Sequence, residues 1–150
     1  MENNSEVTTV ICIRHAERDN STTADPHLNA DGINRAKSLI HVLGSSEIKA
    51  IYTSNFARSK ETASFLATHL GISSVPIDEA AAIKVHVLEH HRGKTVLVVG
   101  HTNTIPELIS LFGSASIFII GENKFDNLFI LNNFSQGVTK TTLLKYGKPS

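Results

Sequence analysis

The sequence predicts an α/β fold. It should form a three-layer sandwich in which a mainly parallel central sheet is flanked by helices, with an antiparallel hairpin at one edge near the C-terminus. Three observations predict it. Apolar, β-branched runs alternate with segments of helical periodicity, the pattern of a parallel sheet crossed over by helices. The first run, "VTTVICI", is apolar on both faces, as a central strand buried on both sides must be. The last two runs, "NLFILNN" and "TKTTLLKY", lie either side of "FSQG", a hairpin signal. At 150 residues the chain fits a single domain, 1–150, with 1–6 and 147–150 as flexible ends.

The elements follow in order. After the first strand, "NADGINRAKSLIHVLG" places Ile33, Ala36, Leu39, Ile40 and Leu43 at helical spacing, with Gly44 as its stop. "IKAIYTS" is the second strand. "NFARSKETASFLATHLG" is the second helix, with Ser54 or Asn55 as N-cap and Gly71 at its end. "SVPI" is a short third strand and "DEAAAIKVHVLEHHRG" a third helix. "KTVLVVG" is the clearest strand, and "TNTIPELISLFG" a short helix that tolerates Pro106 in its first turn. "SASIFIIGENKFD" carries no periodicity and reads as a loop over the site or a short extra strand.

Composition narrows the function. Hydrophobic residues make up 41% and charged residues 19%, as in an ordinary globular protein. Lys+Arg and Asp+Glu balance at 14 each, so no global field draws nucleic acid or an anionic membrane. No apolar stretch approaches the roughly 18 residues of a membrane span. The polar opening "MENNSEVTT" points to the cytoplasm, although an export signal removed upstream would leave the same opening. The single cysteine precludes an internal disulfide. Nothing in the sequence indicates an oligomeric state.

Three polar clusters directly follow three strands: "RHAER", "SNFARSKE" and "GHTNT". In an open α/β sheet, ligands bind beyond the carboxyl ends of the strands, so these clusters converge. They bring Arg14 and Arg58, whose guanidinium forks match phosphate oxygens, and His15 and His101, whose imidazoles serve as nucleophile, donor or acceptor. No Gly-rich nucleotide loop follows a strand. "CIRHAER" also reads as C-x5-R, the spacing of a cysteine phosphatase. That loop, however, would place bulky Ile13 and acidic Glu17 around an anion, and Cys12 alternates with Val10 along an apolar strand, which makes it core.

"RHAE", "TSNFARSKETA" and "VVGHTNT" together resemble the histidine phosphatase superfamily, the phosphoglycerate-mutase-like group, from about Val7 to Gly113. The resemblance implies a phosphatase acting through a phosphohistidine on His15, with Arg14, Arg58 and His101 clamping the phosphate. No metal or organic cofactor is implied, and the substrate would be a phosphorylated small molecule or a phosphoprotein. A phosphate-binding module and a phosphotransfer signalling protein are the competing expectations.

The sequence departs from the family over the carboxylic acid that protonates the leaving oxygen. Thr102 follows His101 where one branch has that acid, and the stretch after the third strand offers only Asp78 and Glu79. The role is shared between Glu17 and the Asp78/Glu79 pair, or falls to neither, which would favour good leaving groups. Asp19 in the first loop is a further carboxylate. Short loops argue against a mutase. Asn20 and Asn103 are candidates for the rim, Arg18 for added charge at the mouth or plain surface, and Arg35 for surface. His86 and His90 could share a helix face, but no third ligand is evident near them or His91, which argues against a metal site. His27, His41 and His69 read as surface or half-buried, Asp126 and Asn127 as a turn, and Phe118 and Phe125 as core or a partner surface.

Overall fold

The computed structural model describes residues 6–150. The flexible end expected at 1–6 therefore lies, apart from Glu6, outside the described residues. Ten elements follow one another: β1 (Val7–Arg14), α1 (Ala30–Leu43), β2 (Ile48–Thr53), α2 (Ala57–Leu70), β3 (Val75–Pro76), α3 (Ala80–His90), β4 (Thr95–Gly100), α4 (Thr104–Leu111), β5 (Asn127–Phe134) and β6 (Thr139–Lys145). One six-stranded sheet has the order β3-β2-β4-β1-β5-β6. The four strands on the β3 side run parallel, and β5 and β6 close the other side antiparallel. This is the expected α/β sandwich with its edge hairpin.

Strand alternation divides the core into two layers. Val10, Cys12, Tyr52, Val96 and Val98 face α3 and α4, where Ile83, Val87, Ile105 and Leu108 meet them. Ile11, Ile13, Ile51, Leu97 and Val99 face α1 and α2, against Leu39, Leu43, Ala63 and Leu66. Both faces of β1 are thus buried, which is why its sequence shows no polar alternation. No helix of the described residues is long and apolar enough to cross a membrane.

Register places the site. Arg14 on β1 lies opposite Gly100 on β4, so both strands end together and His15 and His101 emerge side by side. The His15 N–H donates to the Gly100 carbonyl at 2.8 Å. Thr53 on β2 lies opposite Val99, which brings Ser54 to the same rim, and Thr53 opposite Pro76 brings Asp78 there from β3. Ser59 pins the turn into α2: its hydroxyl donates to the Val99 carbonyl at 2.8 Å and accepts the Ser54 N–H at 3.0 Å.

Three local expectations change. The N-cap of α2 is Phe56, not Ser54 or Asn55, because Ser54 pairs with His101 and Asn55 with Asp78. The Ala57 N–H is met from another loop by Asp25, at 2.9 Å. Residues 147–150, expected as a flexible end, are bonded to the body: the Lys148 carbonyl accepts from Arg35, and the Ser150 hydroxyl donates to Asp126. Asp126, expected only as part of a turn, is consequently buried.

Candidate active site

The carboxyl ends of β1, β2 and β4 open on a cavity of about 410 Å³. Arg14, His15, Arg58 and His101 all line it, as the three clusters predicted. The amino ends of α2 and α4 face the same space through Phe56 and Arg58, and through Asn103 and Thr104. Helix amino ends carry partial positive charge, so three arginines (Arg14, Arg18, Arg58) and two helix termini favour an anion here.

His15 is held in one orientation. Its Nδ1 lies 2.7 Å from the Ala16 carbonyl, which can only accept, so Nδ1 carries the proton and Nε2 keeps its lone pair. Burial lowers the His15 pKa to about 3, opposed by the Ala16 bond and reinforced by Arg14, His101 and Arg58. The imidazole is therefore neutral. The ring of His101 sits 5.2 Å away, centroid to centroid, and its Nε2 is 2.7 Å from the Ser54 hydroxyl. Burial first, then Arg58 and Arg14, lowers its pKa to about 4, against the pull of Asp78.

The arginines are braced from behind. Arg14 Nη1 donates to the carbonyls of Glu122 at 2.7 Å and Lys124 at 3.0 Å, and its guanidinium lies 4.1 Å over the Phe125 ring. Arg58 lies 4.4 Å over the Phe56 ring. The buried Nε atoms of Arg14 and Arg58 have no hydrogen-bond partner among the described residues. A buried donor without an acceptor is costly.

The carboxylates are arranged differently from the expectation. Glu17 is gripped by Arg35 through two bonds, Nε to Oε1 at 2.8 Å and Nη2 to Oε2 at 3.0 Å, and does not line the cavity. Glu79 lines a separate depression with Ala81 and Glu107. Asp78 does reach the cavity, but it accepts from the Asn55 N–H at 2.8 Å and Nδ2 at 3.0 Å, which hold its pKa below the ordinary carboxylate range. Glu122 is a carboxylate on the wall that the sequence did not single out.

Asn103 lines the cavity, whereas Asn20 lines an adjoining one of about 280 Å³. Arg18, weighed between the mouth of the site and plain surface, lines both. Arg35, expected on the surface, is buried at 2% exposure because Glu17 and two backbone carbonyls enclose it. Ser54, Phe56 and Phe125 were missed; only Ser54 had a signal, as the first polar residue after its strand. Cys12 is fully buried among apolar side chains, and burial pushes its thiol pKa far up, which leaves it no nucleophile. His86 accepts or donates through Nδ1 at 2.7 Å to the Tyr52 hydroxyl. Among the described residues no three His, Cys, Asp or Glu side chains converge as a metal site requires.

The model of the histidine phosphatase superfamily (branch 1) matches residues 10–84. The chain belongs to that superfamily. Solved structures agree at the level of the fold. The protein histidine phosphatase SixA complexed with tungstate superposes with a TM-score of 0.74 at 16% identity, covering 91% of this chain and 96% of its own. Bacillus stearothermophilus YhfR gives 0.73 at 18% identity, covering 91% and 96%. A mycobacterial glucosyl-3-phosphoglycerate phosphatase gives 0.73 at 13% identity, covering 93% and 98%. No curated protein matches the chain by sequence. Within the superfamily's fold, this chain places two histidines and three arginines around one cavity.

Proposed function

We propose that the chain is a phosphatase that hydrolyses phosphomonoesters or a phosphorylated protein through a phosphohistidine on His15. The observation that carries this is the state of His15: neutral, with Nδ1–H bound to Ala16 and Nε2 unprotonated in a cavity lined by arginines. Nε2 attacks phosphorus, the bond to the leaving oxygen breaks, and Arg14, Arg58 and His101 hold the equatorial oxygens. Water then attacks the phosphohistidine and restores free His15 and inorganic phosphate. Positioned nucleophile and preorganised charge are most of what phosphoryl transfer needs.

The leaving oxygen must gain a proton. An ionised Asp78 does not donate one; its carboxylate suits the second half-reaction, in which attacking water loses a proton. Asp78 is kept from the expected candidates and Glu122 takes the place of Glu17 and Glu79 as the carboxylates to test. Without a protonated acid at hand, aryl, acyl and nitrogen-linked phosphates should outpace alkyl phosphates. The SixA neighbour is described as a protein histidine phosphatase, which adds phosphoproteins to the candidate substrates. No long insertion separates the elements of the described residues, which favours hydrolysis over mutase action, a reaction that must hold its product for rephosphorylation.

The ionised Asp78 also favours a second reading, a module that binds phosphate without turnover. Steady-state hydrolysis of an aryl and an alkyl phosphate separates them. We expect kcat/KM for the aryl ester to exceed that for the alkyl ester by about 10²-fold or more, the usual contribution of a general acid. Equal rates would contradict the missing acid. Binding of inorganic phosphate or tungstate with no hydrolysis of either ester would favour the module.

A further inference from the structure

The reactivity proposed for His15 depends on which ring nitrogen bears the proton, and that depends on one peptide group. The Ala16 carbonyl that takes the Nδ1–H belongs to the Ala16–Glu17 peptide, so whatever fixes Glu17 fixes the tautomer. Glu17 is fixed twice. Its own carbonyl accepts the Asn29 N–H at 3.0 Å, and its carboxylate is forked by Arg35 at 2.8 and 3.0 Å.

The remaining donors of Arg35 are committed as well: Nη1 to the Tyr146 carbonyl at 2.7 Å and Nη2 to the Lys148 carbonyl at 2.6 Å. With its side chain 1% exposed and every nitrogen bonded, this guanidinium has one available position. It lines neither the phosphate cavity nor its neighbour. A planar fork transmits orientation in a way that a single ammonium does not.

We propose that Arg35 is a positioning residue for the nucleophile: through its fork on Glu17 it aligns the Ala16–Glu17 peptide and so keeps His15 in the Nδ1–H form that leaves Nε2 free to attack. Glu17, the residue expected as a proton donor, is the intermediary. This rests on the phosphatase reading for its consequence but not for its geometry.

The test is imidazole 15N NMR of the full chain at pH 7, together with aryl phosphate kinetics, for wild type, Arg35→Lys, Glu17→Gln and Leu66→Ala. Leu66→Ala supplies a destabilised core with both fork residues unchanged. The wild type should show His15 as the Nδ1–H tautomer alone. Arg35→Lys, which keeps the charge and loses the fork, should add an Nε2–H population. It should also lower kcat by about 10- to 100-fold, the cost of a small misplacement at a reacting centre, with KM within about 2-fold. Glu17→Gln should move both readouts in the same direction and less far, and it carries the test if Arg35→Lys does not fold. Leu66→Ala should leave the tautomer as in wild type. An unchanged tautomer in both fork variants, or the same shift in Leu66→Ala, overturns the proposal. An Arg35-dependent tautomer in a protein that hydrolyses nothing would support the positioning and remove the phosphatase reading.

Discussion

Thr62→Val tests how the loop carrying the nucleophile is tied to the second helix. The Thr62 hydroxyl accepts the Ala16 N–H at 2.8 Å and donates to the Arg58 carbonyl at 2.7 Å. Both Thr62 and Ala16 are fully buried, so water cannot replace the lost acceptor. Valine matches threonine in shape and opens no cavity. The Arg58 carbonyl keeps its backbone partner within α2. The cost is therefore that of one buried, unsatisfied N–H, about 2 kcal/mol within a range of roughly 1–3. For a chain of this length that lowers Tm by about 4–8 °C. Urea unfolding followed by circular dichroism should show a lower midpoint at unchanged slope. A loss below about 0.5 kcal/mol would mean that the Ala16 N–H has another partner, and the proposed bracing of the loop would be wrong.

Two further predictions concern the histidines and the first loop. The imidazole signals of His15 and His101 should not titrate between pH 5.5 and 8, since their pKa values are lowered to about 3 and about 4; midpoints near 6.5 would show that neither is desolvated. The sign for stability follows. The unfolded chain takes up these protons near pH 6.5 while the folded one refuses them, so stability is complete above about pH 6.5 and is lost as pH falls toward the folded values. Gly32→Ala would set a Cβ 2.0 Å from the Glu17 carbonyl oxygen, and the first loop would have to move. We expect a loss of about 1–3 kcal/mol and a fall in kcat, measured by thermal unfolding and aryl phosphate hydrolysis; wild-type values for both would place the loop free of α1.

Much of this was written locally. Strands buried on both faces, the caps at Gly44 and Gly71 and the polar residues after each parallel strand are properties of short segments, and the shared register of β1 and β4 turns them into a site. What stayed hidden depends on distant partners. Arg35 looks like a surface charge on a helix until the Tyr146 and Lys148 carbonyls arrive from 111 and 113 residues away. Glu17 looks like a free acid until Arg35 takes it. Glu122 and Phe125 come from the stretch without periodicity, whose carbonyls brace Arg14. Phe56 gave no signal because an aromatic at a helix start is ordinarily packing, and only the fold sets it against Arg58.

The proposed phosphoenzyme carries its phosphoryl group on His15, not on Cys12. Mixing the protein with a labelled aryl phosphate, quenching in alkali and locating the label in wild type, His15→Ala and Cys12→Ala tests it directly. An alkali-stable, acid-labile adduct is expected in wild type and Cys12→Ala and none in His15→Ala. A label retained in His15→Ala and lost in Cys12→Ala would contradict this assignment.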